Sequence, residues 1–146
     1  MSTSTLYDRD FYAWANEQAG LLRAGKLTQA DIEHIAEEIE SMGKTEKREL
    51  ISRLAVLLTH LLKWKFQTER RTKSWRLTVE EQRRQVGRHI RDNPSLKSSL
   101  SEAIEEAYGD AIIAAERETD LDRAAFPSAC PWSFGEMMAH DFWPES

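Results

Sequence analysis

The sequence predicts an all-α fold, a single-domain helical bundle of about five helices followed by a short C-terminal helix. Three observations carry that prediction. Glu, Leu, Ala, Arg and Lys dominate the periodic stretches, which is helix-forming chemistry. Apolar residues recur at spacings of three and four rather than two. The six glycines fall singly, and Gly and Pro are scarce inside the periodic segments.

The first helix is expected near Asp8 or Asp10, either of which can cap free N–H groups, with Phe11, Trp14, Leu21 and Leu22 on one side and Gly25 at its end. Thr28 with Asp31 predicts the start of a second helix, in which Ile32, Ile35, Ala36, Ile39 and Met42 define a buried face. Gly43 marks a break or kink. From Thr45 to about Gln67, Leu50, Ile51, Leu54, Leu57, Leu58, Leu61 and Leu62 wrap more than half the circumference, so this helix belongs at the centre of the bundle. Thr78 and Glu81 form a capping box for the next helix, which Asn93-Pro94 ends. Ser95 is expected to cap a fifth, running to about Glu118, in which Ala103, Ala107, Ala111 and Ala115 allow close helix approach.

All 146 residues are assigned to one domain, with residues 1–6 expected to be mobile and residues 122–146 an irregular tail. That tail, "FPSACPWSFGEMMAHDFWPES", holds five aromatics and a short helix capped by Ser133 and Glu136, and its apolar surface is expected to dock on the bundle or on a second subunit.

Net charge is −5, but the distribution is uneven. Lys63 to Arg91 carries ten cations against three glutamates, leaving a window of +7 inside a remainder of −12. No apolar run reaches the roughly 18 residues of a membrane span, and the N-terminus has no secretory pattern. The lone Cys130 cannot form an internal disulfide, which fits a cytoplasmic location.

Several blocks occur together: "LYDRDFYAWANEQAGLLRAG", "EEIESMGKTEKRELISRLAVLLTHLLKWKFQ", "ERRTKSW" and "CPWSFGEMMAHDFWPES". In that combination, from about Leu6 to Pro144, the chain resembles the bacterial family called domain of unknown function 29. The resemblance implies a small, all-helical, cytoplasmic bacterial protein. It brings no established activity and hence no catalytic residues.

For function, the favoured expectation is a non-enzymatic binding or adaptor protein that contacts nucleic acid or another polyanion. Cations displace counterions from phosphates and flat rings stack on bases; Arg70, Arg71, Lys73, Trp75 and Arg76 offer both in a basic loop. The competing account is structural: the acidic stretch "DIEHIAEEIES" could neutralise those cations within the fold or across a dimer. The alternative function is a metal-dependent hydrolase on a helical bundle. Asp31-x-x-His34 has the step that puts two ligands on one helix side, with Glu38 a turn further and His60 completing the set. Against it, that stripe lies off the Ile32/Ile35/Ile39 face. Cys130 reads as a packed thiol, no phosphate-binding glycine loop exists, and no cofactor is called for. A homodimer is expected, because opposed acidic and basic zones suit a two-fold contact.

Overall fold

A computed structural model describes residues 5–145, which form six α-helices and several short 3-10 turns, with no strand among the described residues. The all-α expectation holds. The helices are α1 (Leu6–Arg9), α2 (Phe11–Arg23), α3 (Ile32–Phe66), α4 (Lys73–Asp92), α5 (Leu100–Glu118) and α6 (Phe134–Met138). The chain divides into two compact units, Met1–Thr45 and Glu46–Ser146, and α3 contributes to both. Most of the start expected to be mobile, residues 1–4, lies outside the described residues, and Leu6 already begins α1.

In the first unit, Asp10 caps α2 by accepting from the Ala13 N–H at 3.0 Å. Gly25 ends it in the left-handed region, φ +73°, while the Lys26 N–H donates to the Leu21 carbonyl at 2.9 Å. This closure satisfies carbonyls that the helix leaves open, at the place the glycine predicts. Two start signals move. Thr28 sits in a 3-10 turn, Leu27–Gln29, and Asp31 caps α3 instead, its Oδ1 accepting from the His34 N–H at 3.4 Å. The helix then passes through Gly43 without a break, so the second and third expected helices are one. A glycine inside a helix costs about 1 kcal/mol relative to alanine, which the leucine-rich turns downstream readily offset. The expected buried face in this half of α3 is open: Ile39 is 63 % exposed and Met42 68 %. Its periodicity is genuine, but within this unit α2 covers only one side.

The second unit is built on α3 from Leu50 onward. Leu50, Leu54, Leu57, Leu58, Leu61 and Leu62 are all fully buried, as their breadth around the helix predicts. Val79, Val86 and Ile90 of α4 and Ala103, Ala107, Ala111 and Ala115 of α5 complete one core. The four alanines are fully buried, so the small-residue stripe does bring a helix close. Helix α4 begins earlier than Thr78 and Glu81 suggest. Thr72, in extended conformation, accepts from the Trp75 N–H at 3.2 Å, so "KSW" is already helical. Its end at Asn93-Pro94 matches expectation.

The tail docks on this core rather than standing free: Phe126, Trp132 and Met137 are buried in it, and Phe134, Met138, Phe142 and Trp143 pack against it. Ser133 and Glu136 form the full capping box of α6, at 3.1 and 3.0 Å. The tail is also tied by Arg83, which sits on the core face of α4 and is 6 % exposed. Its guanidinium donates to the carbonyls of Met137 at 2.8 Å, Phe142 at 2.6 Å and His140 at 3.4 Å, and lies over the Trp143 ring. Burial pulls its pKa below the ordinary arginine value, while Asp141 and Glu80 act the other way.

Arg83→Ala therefore leaves three tail carbonyls without their donor. With hydrogen bonds from a charged group contributing roughly 1.5–3 kcal/mol each, the two short bonds at the low end of that range mean that Arg83→Ala should destabilise the second unit by about 3 kcal/mol in urea denaturation. Arg83→Lys should recover less than half, because an ammonium lacks the planar fork.

Candidate functional site

The basic segment divides by partner once its elements are placed. Lys63, near the end of α3, is 8 % exposed in its side chain; it reaches Glu118 at 3.4 Å and lies 4.7 Å from the centroid of the Trp75 ring. Arg70 pairs with Asp120 at 3.0 Å and Arg76 with Glu80 at 3.1 Å. Arg71 donates from Nε to the Trp64 carbonyl at 2.8 Å and covers the Trp64 ring at 4.8 Å, leaving its buried Nη2 without a partner. Lys73 is exposed and meets no acid among the described residues. Of the five residues expected to bind polyanions, then, Arg70, Arg71 and Arg76 have partners within the second unit, and half-buried Trp75 carries Lys63 on its ring. They are also not one loop, since Lys73, Trp75 and Arg76 belong to the first turn of α4.

Cations without such partners lie further along the helix. With Val79, Arg83, Val86 and Ile90 turned to the core, an adjoining side of α4 presents Arg84, Arg88 and Arg91, all exposed and without an acidic partner among the described residues. Steps of four and three put them on one face. Together with Arg83 and Gly87 they line a recess of about 380 Å³. Desolvation and self-pairing do not quench this charge, so it is available to an anion. The signal is present in the sequence, since 84, 88 and 91 follow helical spacing within the helix expected to end at Asn93-Pro94.

The metal-ligand candidates sit differently. In the first unit His34 Nδ1 meets Asp31 Oδ2 at 2.7 Å, and the same carboxylate oxygen accepts from Trp14 Nε1 at 3.2 Å. The Asp31 N–H donates to Gln18 Oε1 at 2.7 Å. Tyr7 stacks on the His34 ring with centroids 4.0 Å apart and donates its hydroxyl to Glu38. That hydrogen bond pushes the Tyr7 pKa up to about 12. His60 lies in the second unit, its Nδ1 against the Val56 carbonyl of its own helix at 2.8 Å, and burial lowers its pKa. Asp31, His34 and Glu38 thus tie α1 and α2 to α3, and His60 is not brought to them.

The Asp31–His34 contact raises the histidine pKa above 6.5 and lowers that of the aspartate below 3.8. The raised histidine contributes stability that is complete below its unfolded value and disappears as pH climbs through the folded one. The depressed aspartate contributes above its unfolded value and loses this as pH falls through its folded one. The first unit should therefore hold α1 best between about pH 4 and 6.5. Hydrogen exchange of the α1 and α2 amides should accelerate above neutrality beyond the intrinsic pH effect, and His34→Gln should abolish that excess.

Residues 6–143 match the family described as Domain of unknown function DUF29, and the chain belongs to it. No curated protein and no solved structure matches the chain.

Proposed function

We propose that this DUF29 member is a non-enzymatic binding protein that contacts phosphate-rich polyanions through the arginine face of α4. The carrying observation is that Arg84, Arg88 and Arg91 are exposed on one helix side around Gly87, without acidic partners among the described residues. Exposed Lys73 adds charge at the first turn of the same helix. Guanidinium groups suit this role because they offer two parallel donors to a phosphate. A nucleic-acid strand is the favoured polyanion, in a bacterial cytoplasm. No helix among the described residues is long and apolar enough to cross a membrane, and Cys130 is a half-buried thiol that donates to the Trp132 carbonyl at 3.4 Å.

Fluorescence anisotropy with labelled single- and double-stranded DNA and RNA tests this. Three phosphate contacts should give a 20- to 40-fold fall in affinity, approximately, between 50 and 200 mM salt. The triple change Arg84→Glu, Arg88→Glu, Arg91→Glu should remove binding while leaving the helical circular dichroism intact. Absence of binding to any of these nucleic acids at 50 mM salt overturns the proposal.

The same protein is proposed to act as a homodimer through its first unit. Phe11, Leu22, Ile39 and Met42 line an apolar groove of about 410 Å³ between α2 and α3 and are 41–68 % exposed. Their open surface is on the order of 450 Å² per copy, a little over half the ~800 Å² that each partner gives to a standard interface. A two-helix hairpin that meets its copy about a two-fold axis completes a four-helix arrangement from one self-complementary patch. Light scattering should give twice the 16.9 kDa chain mass, and Ile39→Glu with Met42→Glu should return it to the monomer.

A further inference from the structure

We propose that Glu46, Glu49 and His89 form a binding site for a divalent first-row transition ion of the zinc type, bordering the arginine face at Arg88. Glu46 and Glu49 are three residues apart on α3 and so present carboxylates to one side. Across from them α4 supplies His89, whose side chain is 9 % exposed. One oxygen of each glutamate and one ring nitrogen of the histidine lie within 4.8 Å of one another.

The histidine carries the argument. Its Nε2–H donates to the Glu46 backbone carbonyl at 2.8 Å. In the neutral ring that bond selects the tautomer whose lone pair is on Nδ1, the arrangement by which proteins commonly orient a metal-binding imidazole. No hydrogen-bond donor among the described residues reaches Nδ1. What faces it is another acceptor, Glu49 Oε2, at 3.7 Å. Two acceptors at that distance are too far apart to share a hydrogen bond. They are close to the roughly 3.4 Å that separates neighbouring N and O ligands on a tetrahedral zinc ion. Glu46 Oε2 lies 3.5 Å from Nε2.

The surroundings orient these groups. Arg53 donates to Glu49 Oε1 at 2.8 and 3.2 Å, holding that carboxylate with Oε2 toward the histidine. Asp92, one turn beyond His89, lines a recess with His89 and Glu49 and offers a third oxygen. Arg88 lines it too and opposes a cation. The set of one imidazole and two or three carboxylates, with no thiolate, suits zinc, cobalt or manganese rather than copper(I).

The experiment uses the full chain without a histidine tag. Cobalt(II) is titrated and followed by its visible d–d absorption, with zinc(II) as competitor and the zinc-induced rise in melting temperature as a second readout. We expect one ion per chain, at least a tenfold loss of affinity in Glu46→Gln and in Glu49→Gln, and loss of the signal in His89→Gln. Glu46 is 43 % exposed in its side chain, so Glu46→Gln remains informative should His89→Gln fail to fold. His34→Gln and His60→Gln should bind as wild type. No uptake, unchanged affinity in both glutamate variants, or loss of binding in the His34 or His60 variant overturns the proposal.

Discussion

The second unit rests on the need to cover one unusually broad apolar surface. From Leu50 to Leu62, α3 has buried leucines on so much of its circumference that no single neighbour could shield them. Helix α4 takes one side, α5 takes another through its alanines, and the aromatic tail closes what remains. A fully buried leucine contributes on the order of 2 kcal/mol by leaving water. That drive fixes which faces of α4 and α5 turn inward, and hence which charges are left outside.

The cations of this unit are sorted by that geometry. Arg83 falls on the inward face of α4, where the carbonyls of the tail satisfy it. Lys63 and Arg71 fold back over tryptophan rings, and Arg70 and Arg76 find acids. Arg84, Arg88 and Arg91, which helical rotation turns away from the core, keep their charge uncommitted. A segment that looks uniformly basic in sequence is therefore two populations, one architectural and one exposed.

Much of this was legible in advance, and the exceptions have physical reasons. Leucine breadth, the alanine stripe, Gly25, Asn93-Pro94 and the Ser133/Glu136 cap all depend on neighbours a few residues apart, and each appears where the pattern puts it. Gly43 misled because a helix tolerates one glycine at modest cost, and Thr78 because Thr72 offers a competing cap six residues earlier. Sequence spacing also could not show that Glu46, Glu49 and His89 meet, since that contact spans 43 residues of chain and is made by tertiary packing. In the same way the Asp31/His34 pair had ligand spacing but is occupied by Tyr7, Trp14 and each other.

The anchoring of the tail by Arg83 has an evolutionary corollary. Its guanidinium grips main-chain oxygens, which every amino acid supplies, at Met137, His140 and Phe142. For that bond the identities of those three positions are immaterial, so drift there is limited by packing alone. The hydrogen-bonded part of the closure thus depends on the side chain at one position, Arg83.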